Sequence, residues 1–108
     1  MKETFLVKHA VGGRAFIDTG KQPVPYAWQQ EGDRWTFTVK VEPSAVTELL
    51  KWKDELNVFV FQEFADAPTR KLWFYVVDDA VKYDEAKQEL TIVAISNITY
   101  IPDQFSVR

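Results

Sequence analysis

The chain holds one histidine, His9, and no cysteine. A serine- or cysteine-type catalytic triad needs an imidazole base held by a carboxylate, so such chemistry would have to run through His9. That residue falls on the Phe5, Val7 and Val11 side of an alternating segment. The pattern predicts a packed or rim imidazole with one hydrogen bond, not a base. One imidazole cannot build a histidine-rich metal site. Without thiols there are no disulfides, zinc-thiolate sites, iron–sulfur ligands or thiol nucleophiles.

The densest carboxylate group is Asp78, Asp79, Asp84 and Glu85. Oxygen ligands of this kind suit calcium or magnesium. No EF-hand spacing or glycine-shaped loop accompanies them, and adjacent strand residues point to opposite faces. Lys82 and Lys87 offset part of the charge, so a solvated strand end and loop are expected. Sixteen acidic residues guarantee a chance pair at almost any separation, so carboxylate pairing for glycoside hydrolysis is uninformative. The four glycines form no phosphate-cradling pattern. The expectation is a protein without catalysis, metal or cofactor.

Aromatic residues make up 15% of the chain. Phe16, Trp35, Phe37, Phe59, Phe61, Trp73 and Phe74 fall at positions expected to face inward, where core packing accounts for them. The segment Gln22–Trp28 is different. Pro23 and Pro25 stiffen it into an extended form that loses little entropy on binding. Tyr26 and Trp28 then share one side, and rings of this kind on a rigid edge make binding anchors. Pro23, Pro25, Tyr26 and Trp28 are therefore the candidate partner or ligand site. Their competing role is to pin the segment onto the domain's own core.

The elements that must position these groups are mostly strands. Glu3–Val11 alternates, Gly12-Gly13 can close a two-residue hairpin loop, and Arg14–Asp18 returns. Tyr26–Gln30 pairs with Arg34–Val41 across the Glu31-Gly32-Asp33 turn. Trp35, Phe37, Val39 and Val41 form one apolar face there. After Pro43, Ser44 can cap a helix. Ala45, Val46, Leu49, Leu50, Trp52 and Leu56 fall within an arc of about 160°, which predicts about three turns over residues 44–56 ending at Asn57. Lys53 intrudes on that arc and must snorkel.

Val58–Phe64 and Leu72–Val77 are apolar at almost every position, the mark of strands covered on both faces. Ala65–Thr69 is a short loop and Tyr83–Gln88 a longer one. In Leu90–Ile98 the residues Leu90, Ile92, Ala94 and Ile98 are expected on one face. The tail from Ile101 to Arg108 is expected to be irregular.

The sum is an α+β, mainly β, single domain over residues 1–108. It is an antiparallel sheet of six to seven strands, a partial barrel or sandwich, with one short amphipathic helix. The helix can cover part of one sheet face. The other must be covered by the N-terminal hairpins or by another chain.

A net charge of −3 argues against a nucleic-acid partner, which would call for a basic stripe. Residues 1–54 carry +1 and residues 55–108 carry −4, so the acidic excess belongs to the second half. No stretch approaches the 18 apolar residues of a membrane span. Phe5-Leu6-Val7 is too short for a secretory signal core, so a cytoplasmic location is expected and Asn97-Ile98-Thr99 reads as a chance sequon.

By subtraction and by its aromatic surface, the chain reads as a non-catalytic protein–protein interaction module. Its partner would be another protein or copies of itself. It would serve in a larger assembly, a viral particle for instance, or as a small acidic inhibitor or immunity-type protein. The alternative is a small-ligand or carbohydrate-binding domain using Tyr26 and Trp28 as a stacking platform.

Overall fold

The computed structural model describes residues 2–100, except the side chains of Val77, Asp78, Asp79 and Tyr100. The expected irregular tail lies outside this span. Seven strands form one antiparallel sheet: β1 (Lys2–His9), β2 (Ala15–Asp18), β3 (Tyr26–Glu31), β4 (Arg34–Lys40), β5 (Leu56–Glu63), β6 (Arg70–Asp84) and β7 (Glu89–Tyr100). One helix, α1 (Pro43–Lys51), joins β4 to β5. The spatial order is β2-β1-β5-β6-β7-β4-β3. The two N-terminal hairpins thus occupy opposite edges, and the β6–β7 hairpin fills the centre.

The sheet curls into a half-barrel. β1 and β3 stand second and seventh in the order, yet the Phe5 and Tyr26 rings stack with centroids 4.8 Å apart. The bend comes from irregular pairing in the central hairpin. Tyr75 pairs with Ser96 and Val76 with Ala94, which leaves Ile95 as an extra residue on β7. The next pair is Val81 with Ile92, so β6 carries its own excess. Bulges of this kind bend a strand and increase its twist. Curling brings Phe5, Val7, Phe37, Val39, Val58, Val60, Phe74, Leu90 and Ile92 together with no solvent exposure. The hairpins therefore cover the inner face.

The Ile95 bulge also corrects one expectation. Leu90, Ile92 and Ala94 do share the buried face. The extra residue flips the remainder of β7, so Ile98 lies opposite Trp73 on the outer face and is 45% exposed.

The helix is shorter than its periodicity implies. Pro43 opens it, after Glu42 in extended conformation, and no side chain caps it; Ser44 lies inside the helix. Proline suits this first position because its φ is pre-set and it has no N–H to satisfy. The helix ends at Lys51, and Leu56 and Asn57 belong to β5. Leu56 fits both the helical arc and the Leu56-Val58-Val60 alternation. An eight-pair ladder from Leu56↔His9 to Glu63↔Lys2 captures it for the sheet. Val46 and Leu49 are the buried helix residues, and α1 packs nearest to β2.

The first hairpin differs too. β1 stops at His9, and the connection runs from Ala10 to Arg14 instead of only Gly12-Gly13. The Gly13 N–H donates to the His9 carbonyl at 2.9 Å, and Gly13 takes a φ of 73°. Val11 consequently sits in the loop, 80% exposed, and shares no face with Phe5 and Val7.

Candidate functional site

The proline-flanked segment delivers Tyr26 and Trp28 to the interior side of β3, while Pro23 and Pro25 are exposed. β3 lies at the sheet edge, and the curl brings it over β1. Tyr26 Oη donates to Glu3 Oε1 at 2.8 Å, and Trp28 Nε1 donates to the same oxygen at 3.2 Å. Gln62 Nε2 donates to Glu3 Oε2 at 3.2 Å. Arg70 grips Gln62 Oε1 through Nε at 3.0 Å and a terminal nitrogen at 2.8 Å. One carboxylate thus ties three strands, β1, β3 and β5, and Arg70 extends the tie to β6.

Burial, the hydrogen bond to Glu3 and that carboxylate's charge all raise the Tyr26 phenol far above its usual pKa. The rings are engaged as well: Tyr26 stacks on Phe5, and Trp28 packs against Phe37 at 5.9 Å and Phe74 at 5.7 Å. The structure places both candidate rings in an anchoring role, tying edge strand β3 to β1 across the half-barrel.

His9 lies at the far end of β1. Its Nδ1 accepts the Gly12 N–H at 3.2 Å, and the Trp52 ring lies 4.9 Å away. Nε2 is buried without a hydrogen bond, 3.6 Å from Glu55 Oε1. No hydroxyl is bonded to it among the described residues. The side chains of Asp78 and Asp79 lie outside the described set. Asp84 Oδ1 accepts the Lys87 N–H at 3.2 Å and helps to close the β6–β7 turn. Among the described residues no group of three or more His, Asp or Glu could hold a metal ion.

The outer face of β1, β5, β6 and β7 is where structure and expectation part. Register sets Leu6 beside Phe59, Phe59 beside Trp73 and Trp73 beside Ile98, an apolar row across four strands. Phe61 lies beside Lys71 in one neighbouring row, and Tyr75 lies beside Asn57 in the other. The Phe59 and Trp73 centroids are 5.7 Å apart, and those of Trp73 and Tyr75 5.1 Å. Tyr75 is 37% exposed, and Trp73 Nε1 is buried without a partner among the described residues. Lys71 Nζ sits 4.6 Å from the Phe59 centroid and 5.1 Å from that of Phe61, and Lys8 Nζ lies 5.8 Å from Phe59. These contacts give the greasy row a cationic edge.

Phe59, Phe61 and Trp73 therefore do not face inward as expected, because the inner positions of β5 and β6 are taken by Val58, Val60, Leu72 and Phe74. The signal for this face was the unbroken apolar run in both strands. Which residues faced out depended on register.

A second concavity, of about 580 Å³, opens between α1 and the end of the β6–β7 hairpin. Pro43, Val46, Leu50, Val81 and Tyr83 give it apolar walls, with Lys53 and Glu85 also lining it. Tyr83 Oη donates to the Val41 carbonyl at 2.7 Å. Its phenol is raised above the usual pKa by burial first, then by the charges of Glu85, Glu42 and Asp84. Its charged lining is one carboxylate, Glu85, and one ammonium, Lys53.

The chain matches no protein-family model, no curated protein and no solved structure. No helix among the described residues is long and apolar enough to cross a membrane.

Proposed function

We propose that this chain is a non-catalytic protein-interaction module that docks on another protein, or on copies of itself, through the outer face of β1, β5, β6 and β7. It would serve as a component of a larger assembly or as a small acidic inhibitor-type protein, in the cytoplasm, where a cysteine-free domain loses nothing. The partly exposed Phe59 and Trp73 with the exposed Tyr75 and Ile98 carry the reading, Leu6 at the β1 end of the row being buried. A core needs one apolar face of a sheet, and the inner face already supplies it with Phe5, Phe37, Phe74 and their aliphatic neighbours. Aromatic rings on the second face lie outside that core and add less to stability than the rings within it. Contiguous apolar patches of this kind, rimmed by charge, mark interaction surfaces.

Light scattering over a concentration series, with affinity capture on the immobilised chain, tests this. Mass growth or capture that disappears in Tyr75→Ser supports the module. A strict monomer that captures nothing, with or without the substitution, overturns it.

A further inference from the structure

We propose that His9 is a pH-operated clasp at the end of β1: the neutral imidazole holds the tip of the β1–β2 loop, and the imidazolium lets it go and takes Glu55 instead. The clasp is independent of the docking face and rests on the opposite roles of the two ring nitrogens. Nδ1 accepts the Gly12 N–H at 3.2 Å. A neutral imidazole has one N–H, so an accepting Nδ1 places that proton on Nε2. Among the described residues Nε2 is buried without a hydrogen bond, and Glu55 Oε1 lies 3.6 Å away. The side chain is only 15% exposed, walled by the Trp52 ring at 4.9 Å and the Phe16 ring at 6.3 Å.

Protonation acts on both ends of the ring in the same direction. Nδ1 gains a hydrogen and meets the Gly12 N–H donor against donor, so that bond cannot persist. At the other end the new charge draws the Glu55 carboxylate from 3.6 Å toward the length of about 2.8 Å usual for charge-assisted bonds. The other charged groups on the surrounding elements have their own contacts. Arg14 lies over Phe16 at 5.4 Å and reaches Glu48 of α1 at 3.9 Å, Lys51 pairs with Glu48 at 3.2 Å, and Lys8 turns to Phe59 at 5.8 Å. Lys53 and Asp54 complete the charged residues of the α1–β5 connection.

What is released is narrow. The Gly13 N–H donates to the His9 carbonyl at 2.9 Å, the His9 N–H to the Arg14 carbonyl at 2.8 Å, and the Ala10 N–H to the Glu55 carbonyl at 2.7 Å. None of these bonds involves the imidazole, so β1 keeps its place while the Val11–Gly12 peptide is freed. The ring also rests directly on Gly12, where an added Cβ would stand 2.9 Å from Nδ1. Val11, 80% exposed, is the apolar side chain at this tip, so pH sets how the loop presents it.

Nuclear magnetic resonance of the isotope-labelled full chain tests the clasp, following the His9 ring nitrogens and the Gly12 amide together from about pH 8 to about pH 5, where imidazoles take up a proton. The ring should carry its proton on Nε2 at the alkaline end. As it becomes charged, the Gly12 amide should lose about tenfold or more of its protection from hydrogen exchange, the loss expected for one broken hydrogen bond. Gly13 and Ala10 should keep theirs. His9→Asn supplies an acceptor that does not titrate, so Gly12 protection should stay level in that variant. Glu55→Gln removes the partner of the cation and should move the imidazole titration to lower pH. Unfolding midpoints check that both variants fold, and the wild-type titration decides without them. A Gly12 amide equally protected on both sides of the titration overturns the proposal. So does an Nδ1–H tautomer at high pH, or an imidazole that stays neutral until acid unfolds the chain.

Discussion

The molecule contains two aromatic clusters of similar make-up and opposite surroundings. Inside the half-barrel, Phe5, Phe37, Phe74, Tyr26 and Trp28 contact one another at 4.8–5.9 Å. Outside it, Phe59, Trp73 and Tyr75 do so at 5.1–5.7 Å. Ring spacing does not distinguish them. What does is the closure above each one. The inner cluster lies under β3, held down by Glu3, whereas the outer one leaves Tyr75 37% exposed, with the Lys8 and Lys71 ammonium groups beside Phe59. Aromatic content therefore locates a candidate interface only after the direction of curl is known.

Substitutions can sharpen this contrast. Phe74→Ala empties a fully buried site shared by Phe37, Trp28 and Trp35, and is expected to lower stability by about 3–5 kcal/mol in urea unfolding. Tyr26→Phe removes a hydrogen bond to a carboxylate and should cost about 1.5–3 kcal/mol by the same measurement.

Tyr26→Phe also carries a pH signature. The folded state holds the Tyr26 proton more tightly than the unfolded chain does. This contribution is complete below the usual tyrosine pKa of about 10 and is lost as pH rises toward the higher folded value. Wild-type stability should thus fall through alkaline pH more steeply than that of Tyr26→Phe. Equal slopes would mean that Glu3 does not hold this phenol.

On the outer face the effects shrink. Trp73→Ala, at a half-buried ring, should cost about 1–2 kcal/mol in urea unfolding. Tyr75→Ser should stay within about 0.5 kcal/mol of wild type in the same assay while reducing association in light scattering. An outer-face loss as large as that of Phe74→Ala would erase the distinction between the two clusters.

Much of this architecture was legible from residue pattern alone. The Arg34–Val41 alternation, the Gly32 turn with its φ of 61°, and the two-faced character of β5 and β6 follow from local chemistry. Three features did not, each for a physical reason. Leu56 satisfies both helical and strand periods, and only pairing with His9 decides between them. Ile98 changes face through one extra residue on β7, which no periodicity announces. Tyr26 and Trp28 were visible as a rigid aromatic edge. Their acceptor Glu3 lies 23 residues from Tyr26 in the chain and five strand positions away across the sheet, so only curling brings them together. The outer row was foreshadowed by the unbroken apolar runs, but assigning Phe59, Phe61 and Trp73 to it required the β1–β5–β6 register.

Sedimentation velocity on the wild type and on a Tyr75→Ser/Ile98→Thr double variant, each over rising concentration and paired with its unfolding midpoint, tests the division between core and docking face most directly. The wild type should grow in mass with concentration, and the variant should stay monomeric while unfolding at nearly the same midpoint. A variant that associates as the wild type does, or that loses association only because it no longer folds, would contradict the account.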